Sequence, residues 1–233
     1  MKLNILYEDN HLIVVEKEAN VLTQGATLDL PVLLDQVKSY IKEKYTKTGN
    51  VFLGLIHRLD TNVAGVVCFA KTSKAASRLS EEIRKHRFEK KYLAIVDGKI
   101  SSSENITLKD FLAKDEVNKK AIITTSDLGK ESILTFKKLA QIDNNTLVEV
   151  DLLTGRFHQI RAQLSNYGTP IIGDRKYGGK FNNIKSATSK NSHSIALYAY
   201  SLSFNHPITK EKLTINNLPK DKIYTPFLKI AKL

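Results

Sequence analysis

Cysteine is nearly absent from this sequence. The one present, Cys68, sits in an apolar run. A single thiol excludes an internal disulfide framework and a cysteine-based zinc site, and it fits a reducing compartment. Tryptophan is missing, so any aromatic stacking must come from tyrosine and phenylalanine. Acidic residues are scarce: 24 Asp and Glu stand against 36 Lys and Arg, a formal net charge of +12. Such an excess favours polyanionic partners, nucleic acid first and an anionic membrane second. No apolar run approaches the roughly 20 residues a membrane span needs. The opening MKLNILYEDN lacks the apolar core of a signal peptide. The expectation is a soluble, cytoplasmic protein.

Several chemistries are missing too. There is no Gly-x-Ser-x-Gly elbow, no Gly-x-x-x-x-Gly-Lys-Ser/Thr loop and no Gly-x-Gly-x-x-Gly turn. The six histidines (His11, His57, His86, His158, His193, His206) form no close ligand pair, so no metal is expected. There is no internal repeat and no linker.

The chain alternates irregularly between strand and helix patterns. ILYEDNHLIVVEKEAN reads as two short strands around a turn at Asp9-Asn10. In DLPVLLDQVKSYIKEKY, Leu33, Val37, Tyr40, Ile41 and Tyr45 recur at helical spacing, with Asp29 as N-cap and Pro31 in the first turn. Val66 to Ala70 reads as a strand. SKAASRLSEEIRKH reads as a helix capped by Ser73, with Ala76, Leu79 and Ile83 on one face, and FEKKYLAIVDG as a strand. Residues 106–155 read as mainly β, with a hairpin at Asp143-Asn144-Asn145. RFHQIRAQLSNYG reads as a helix stopped by Gly168. Lys180 to Ser192 is expected to be a mobile basic loop, and SIALYAYSLSF with KLTIN a closing hairpin around His206-Pro207. The predicted class is α+β with a largely antiparallel mixed sheet and flanking helices.

Three stretches set polar groups against apolar ones. GLIHRLDTNVAG packs His57, Arg58 and Asp60 between two apolar runs. EKKYLAIVDG places Tyr92 at a strand start, behind the basic run Arg84, Lys85, His86, Arg87, Lys90 and Lys91. TGRFHQIRAQLSNYG, read as a helix, puts Arg156, Gln159 and Gln163 on one face and Phe157, Ile160, Arg161 and Leu164 on another. Arg161 then falls beside apolar positions, where a guanidinium needs an anion. Asp60 is the natural candidate. What remains is a carboxylate, an arginine and a tyrosine on a basic protein, and an aspartate can act as nucleophile or base without a cofactor.

His57-Arg58-Leu59-Asp60, with Leu53-Gly54-Leu55 before it, resembles the active-site motif of the RluA family of RNA pseudouridine synthases. The resemblance runs through ILYEDNHLIVVEKEA with Lys17, through Lys91-Tyr92-Leu93-Ala94, through TGRFHQIRAQL and GTPIIGDRKYG, and through IALYAYSLSFNHP. It implies one catalytic domain over residues 1–233, two subdomains sharing a sheet around a central active-site cleft, with no room for a separate N-terminal RNA-binding domain. It implies catalysis by Asp60, Tyr92 as the ring stacked on or deprotonating the base, and Arg161 as partner of the aspartate. The target uridine, in ribosomal or transfer RNA, must be extruded from its stack. Its N1–C1′ bond is cut and the base rejoined through C5. Attack on C1′, attack on C6 and abstraction of the 2′ proton all stay open as the first step.

Arg58 is expected to hold the flipped-out RNA, with Arg84, Lys85, Arg87, Lys90 and Lys91 meeting phosphates. His57, Arg156, His158 and Gln159 are expected to brace the site. RNA is the expected partner of a monomer that uses no cofactor, no DNA and no membrane. Departures from the family pattern stand at Glu18, Asn20, 62–65 and Phe157. The other function class open to this sequence is a non-catalytic RNA-binding or ribosome-assembly factor with the same fold.

Overall fold

The computed structural model describes residues 3–25, 30–102, 104–180 and 194–233. The Asp29 cap and the expected basic loop beyond Lys180 fall outside these. In chain order the elements are β1 (Ile5–Glu8), β2 (Leu12–Lys17), α1 (Leu33–Lys44), β3 (Gly54–Leu55), β4 (Ala64–Ala70), α2 (Ser73–Arg84), β5 (Glu89–Asp97), β6 (Ile106–Asp115), β7 (Lys120–Thr124), β8 (Lys130–Ile142), β9 (Asn145–Leu152), α3 (Gln159–Asn166), a 3-10 turn (Arg175–Tyr177), β10 (Leu197–Asn205), β11 (Lys212–Asn216) and α4 (Thr225–Ala231). The mixture is the α+β class expected. Two compact units form, Met1–Glu89 with Ala199–Leu218, and Lys90–Tyr198 with Pro219–Leu233.

In the first unit the strand order is β1-β2-β4-β10, with β3 also on β4 and β11 on β10. The β1–β2 turn is made by Asp9, whose carboxylate accepts the N–H groups of His11 and Leu12; this is the short-range trick that makes aspartate a turn former. β2 and β4 pair antiparallel from Leu12↔Ala70 to Lys17↔Gly65. Leu12, Val14, Val66, Cys68, Ala75, Leu79, Phe88, Leu202 and Phe204 form one buried cluster beneath α2.

Both helix starts differ from expectation. Val32 is extended at the N-cap of α1, held by a bridge to Leu22, so the helix starts after Pro31. The cap of α2 is Thr72, whose hydroxyl accepts the Ala75 N–H, not Ser73. Tyr40 and Tyr45, expected on the apolar face of α1, instead send their hydroxyls to Glu8. Lys44 and Lys71 bind the same carboxylate. Burial opposes its charge, but these four donors win and hold Glu8 down to about 2.

In the second unit the order is β5-β9-β8-β6-β7, and every ladder is antiparallel. The β8–β9 hairpin turns at Asp143-Asn144, with Asp143 in the left-handed region (φ 53°), as the sequence indicated. α3 ends as expected: Gly168 takes φ 93°, its N–H meets the Ser165 carbonyl, and Thr169 N–H meets that of Leu164. Its start is later than expected. His158 is left-handed (φ 51°) and the helix begins at Gln159, so Arg156 and Phe157 precede it. The segment Pro170–Ile172 runs beside β5. Asp97 N–H donates to Pro170, and Ile172 N–H to Ile95.

Gly65 shows how tightly the first unit is built. Its φ is 133°, and a Cβ there would lie 2.2 Å from the Ala199 carbonyl oxygen. Gly65→Ala combines a disfavoured backbone with overpacking and should destabilise by about 2–4 kcal/mol. Gly178, at φ 86°, has nothing within 4 Å of such a Cβ, so Gly178→Ala meets the backbone term alone. Urea unfolding of both variants checks this, and equal losses would contradict the steric reading.

Candidate active site

The loop between β3 and β4 is braced at alternate residues. Cys68 N–H donates to His57 Nε2 at 3.1 Å. The imidazole proton therefore resides on Nδ1. Thr23, buried, accepts the Leu59 N–H at 3.2 Å and donates to the Leu59 carbonyl at 2.8 Å. The Thr61 carbonyl accepts Asn20 N–H at 2.8 Å and Lys17 Nζ at 3.1 Å. With 57, 59 and 61 tied down, Arg58 is left exposed and Asp60 partly so. His57 thus ties the loop to β4. Gly54 admits α2 closely, since a Cβ there would sit 2.9 Å from that of Ala76.

Lys17 is fully buried at the end of β2, and its ammonium donates to the carbonyls of Glu18, Val21 and Thr61. Burial pulls it down to about 7, while the Asp60 carboxylate pushes the other way. Three acceptors ask for three N–H donors, which only the cation has. Asn20 takes φ 64°, a left-handed conformation that glycine adopts freely and asparagine tolerates. The departure at this position therefore preserves the turn that delivers Val21 to the ammonium.

In the second unit Tyr92 is 6% exposed on β5, opposite Val150 of β9. Lys91 pairs with Glu149 at 3.4 Å. Lys90 does not stand on the phosphate-facing surface expected of it. It is buried, and burial lowers its pKa against the charge of Asp151. A Cβ on Gly155 would lie 3.4 Å from its Nζ. In the first unit Arg84, Lys85 and Arg87 are exposed at the end of α2, where His86 turns left-handed (φ 54°). Lys85 and Arg87 meet Glu81 and Glu82, each at 2.6 Å.

Arg161 is 4% exposed, and its guanidinium is gripped by Asp174: Nε to Oδ2 at 2.6 Å and Nη2 to Oδ1 at 2.9 Å. It lies over the Tyr177 ring at 5.0 Å. The Tyr177 hydroxyl accepts Ala121 N–H and lies 2.9 Å from His158 Nδ1. Gln159 Oε1 accepts from Thr154 and from Arg156 N–H, and Gln159 Nε2 donates to Gln163. Gln163 in turn reaches Asp110 and the Ser132 carbonyl. Arg156 Nε donates to the Glu131 carbonyl. His158 and Gln159 therefore brace α3, and Arg156 clips its approach to β8.

Sequence reasoning missed Thr23, Asp174, Tyr177 and Gln163 as supports. Asp174 and Tyr177 sit inside GTPIIGDRKYG, but spacing does not reveal that a buried arginine 13 residues earlier needs that carboxylate.

Two outcomes follow. Asp174→Ala strands a buried guanidinium and should lower unfolding stability by about 3–5 kcal/mol; a loss under about 1 kcal/mol in urea titration would show the pair to be dispensable. For Lys17, the folded value lies below the unfolded one, so between about pH 7 and the ordinary lysine value the unfolded chain binds the extra proton. The cost of burying the cation is fully present below about pH 7 and is relieved as pH rises. Wild-type stability should therefore gain on that of Lys17→Met from pH 7 to 10 in paired melts. A difference that stays constant with pH would rule the shift out.

A family model described as RNA pseudouridylate synthase matches residues 11–166. Ribosomal large subunit pseudouridine synthase C of Buchnera aphidicola is 31% identical over 225 residues, 97% of this chain and 69% of that protein. The dual-specificity RNA pseudouridine synthase RluA of Haemophilus influenzae is 32% identical over 215 residues, 92% of each. A solved structure, human RNA pseudouridylate synthase domain containing 4, matches with a TM-score of 0.75 at 22% identity, over 98% of this chain and 93% of that one. At that identity the likeness speaks for the fold alone. The matched span holds Lys17 and its carbonyls, the braced loop, the tyrosine strand and the arginine of α3, and on that ground the chain belongs to the RluA family of RNA pseudouridine synthases.

Proposed function

We propose that this protein isomerises uridine to pseudouridine in structured RNA, with Asp60 as the catalytic carboxylate. The observation that carries the reading is the braced loop: 57, 59 and 61 are held by hydrogen bonds, with Arg58 exposed and Asp60 partly exposed between them. A rigid frame around a partly exposed carboxylate is what a nucleophile or base needs, because misplacement by about 1 Å costs catalysis heavily. A module that only bound RNA would have no use for a fixed negative charge facing phosphates.

The proposed roles follow from residue chemistry. A uridine flips out of its stack into the site. Arg58, exposed beside Asp60, occupies the space left behind or holds the displaced strand. Tyr92 offers a flat ring and a hydroxyl for stacking and proton transfer. Arg161 is the third residue that the motif assigns to the chemistry. A guanidinium has five N–H donors, and Asp174 takes two, along one edge, which fixes the plane and direction of the others. Over the reaction the N1–C1′ bond breaks and a C5–C1′ bond forms. The C5 hydrogen leaves to solvent, and N1 ends with a proton. Arg84, Lys85 and Arg87 are proposed to meet phosphates; their exposed ion pairs cost little to open. Two relatives, ribosomal large subunit pseudouridine synthase C of Buchnera aphidicola and tRNA pseudouridine synthase C of Haemophilus ducreyi, point to ribosomal or transfer RNA as the substrate class.

Tritium at uridine C5 reports turnover directly, because that hydrogen is lost. Ribosomal and transfer RNA transcripts carrying the label should release it with wild-type protein and should not with Asp60→Asn, whose fold is checked by melting. A folded Asp60→Asn that releases tritium at the wild-type rate ends the catalytic assignment. Absence of release from any transcript with the wild-type protein would favour the binding factor instead.

A further inference from the structure

Phe157 is 41% exposed, a large apolar ring on the surface. It is not loose. Its ring stacks on His158 at 3.8 Å between centroids, with 19° between planes. His158 is fixed by its left-handed backbone and by the contact of Nδ1 with the Tyr177 hydroxyl. Tyr177 meets His158 edge-on at 5.6 Å and carries the Arg161 guanidinium over its ring, 5.0 Å from the centroid. The rings of Phe157, His158 and Tyr177 thus make a chain of contacts that runs from the surface to the guanidinium held by Asp174. Lys114 Nζ lies 5.4 Å from the Phe157 centroid, and Arg156 is exposed next in sequence.

We propose that Phe157 is a stacking platform for an unpaired nucleobase of the RNA substrate, and so a determinant of which RNA this enzyme accepts. The inference rests on the reading of this protein as an RNA pseudouridine synthase. Two features select a nucleobase over a protein side chain. The ring is flat, already backed by a second ring, and held in a fixed plane, which suits another planar π system. Lys114 Nζ lies over the ring, on an exposed side chain paired with Glu116 that a base can displace toward its own phosphate. Bases of every kind have a π face, so the platform alone sets position more than sequence, and it acts on single-stranded or bulged RNA where a base can leave its stack.

A single-stranded oligoribonucleotide of mixed sequence, about ten residues long and containing 2-aminopurine, is the probe. Stacking on the ring should quench the fluorophore and add affinity. Phe157→Leu keeps apolar bulk and loses the π face; Phe157→Tyr keeps both. We expect Phe157→Leu to weaken binding roughly five- to fiftyfold, with the quench diminished and the salt dependence unchanged, since no phosphate contact is lost. Phe157→Tyr should bind as wild type. On C5-tritiated transcripts, Phe157→Leu should lose turnover mainly through KM. Equal affinity and quench in wild type and Phe157→Leu overturns the platform, and so does a loss accompanied by a flattened salt slope. Tritium release by the wild-type protein is scored separately: its absence defeats the enzymatic reading, whereas release together with an indifferent Phe157→Leu defeats only the platform. Phe157 is exposed and precedes α3, so both variants should melt as wild type does. Should Phe157→Leu melt lower, its binding is read against Phe157→Ser, and a serine variant binding as wild type overturns the proposal equally.

Discussion

A cation withdrawn from water must be surrounded by acceptors, and that constraint organises both units. Lys17 has no solvent to turn to, so three backbone carbonyls converge on it. One of them belongs to Thr61, the residue after Asp60. The ammonium therefore fixes the backbone on which the carboxylate stands, and its charge acts on that carboxylate as well. Arg161 repeats the logic with a carboxylate in place of carbonyls. Asp174 accepts two N–H donors, and Asp174 itself is held by turns on either side, its N–H donating to Ile171 and its carbonyl accepting from Gly179. Removing either cation would leave oriented acceptors with nothing to bind, which is costlier than having built neither.

How much of this could be read from the sequence depends on the range of the interaction. Strands and helices follow from local periodicity, and their existence matches expectation almost throughout. Their ends do not, because ends are settled by tertiary contacts. α1 starts late because Val32 bridges to Leu22, and α3 starts late because His158 takes a left-handed turn that places its ring against Tyr177. Lys90 illustrates the same limit. Within EKK, three charged residues in a row look solvated, yet a strand sends alternate residues to opposite faces, and the middle one goes inward. Asp60, Tyr92 and Arg161 stand out in the sequence by motif. Thr23 and Asp174 do not, since what defines them is a partner 36 or 13 residues away.

The departures from the family pattern divide physically. Asn20 and Val63 are absorbed: the first keeps a left-handed turn, the second is 2% exposed in the core. Glu18 contributes its backbone carbonyl to Lys17 while its side chain is exposed, so side-chain identity there is free to vary. Phe157 is different, because it puts a large ring on the surface rather than restoring a backbone or filling the core. Change of that kind, in the same unit as the Arg161–Asp174 pair, is how one chemistry comes to serve different substrates.

The single thiol has a consequence of its own. Cys68 lies fully buried in β4, with its ionisation suppressed by burial, and its N–H holds His57. A protonated thiol shielded from solvent reacts slowly with oxidants and alkylating agents. The protein thus has no thiol through which oxidative stress could reach the aspartate loop, and chemical labelling of Cys68 proceeds only as fast as that strand opens. One residue serves as a native stopwatch for the frame of the site, readable by mass without any engineered probe.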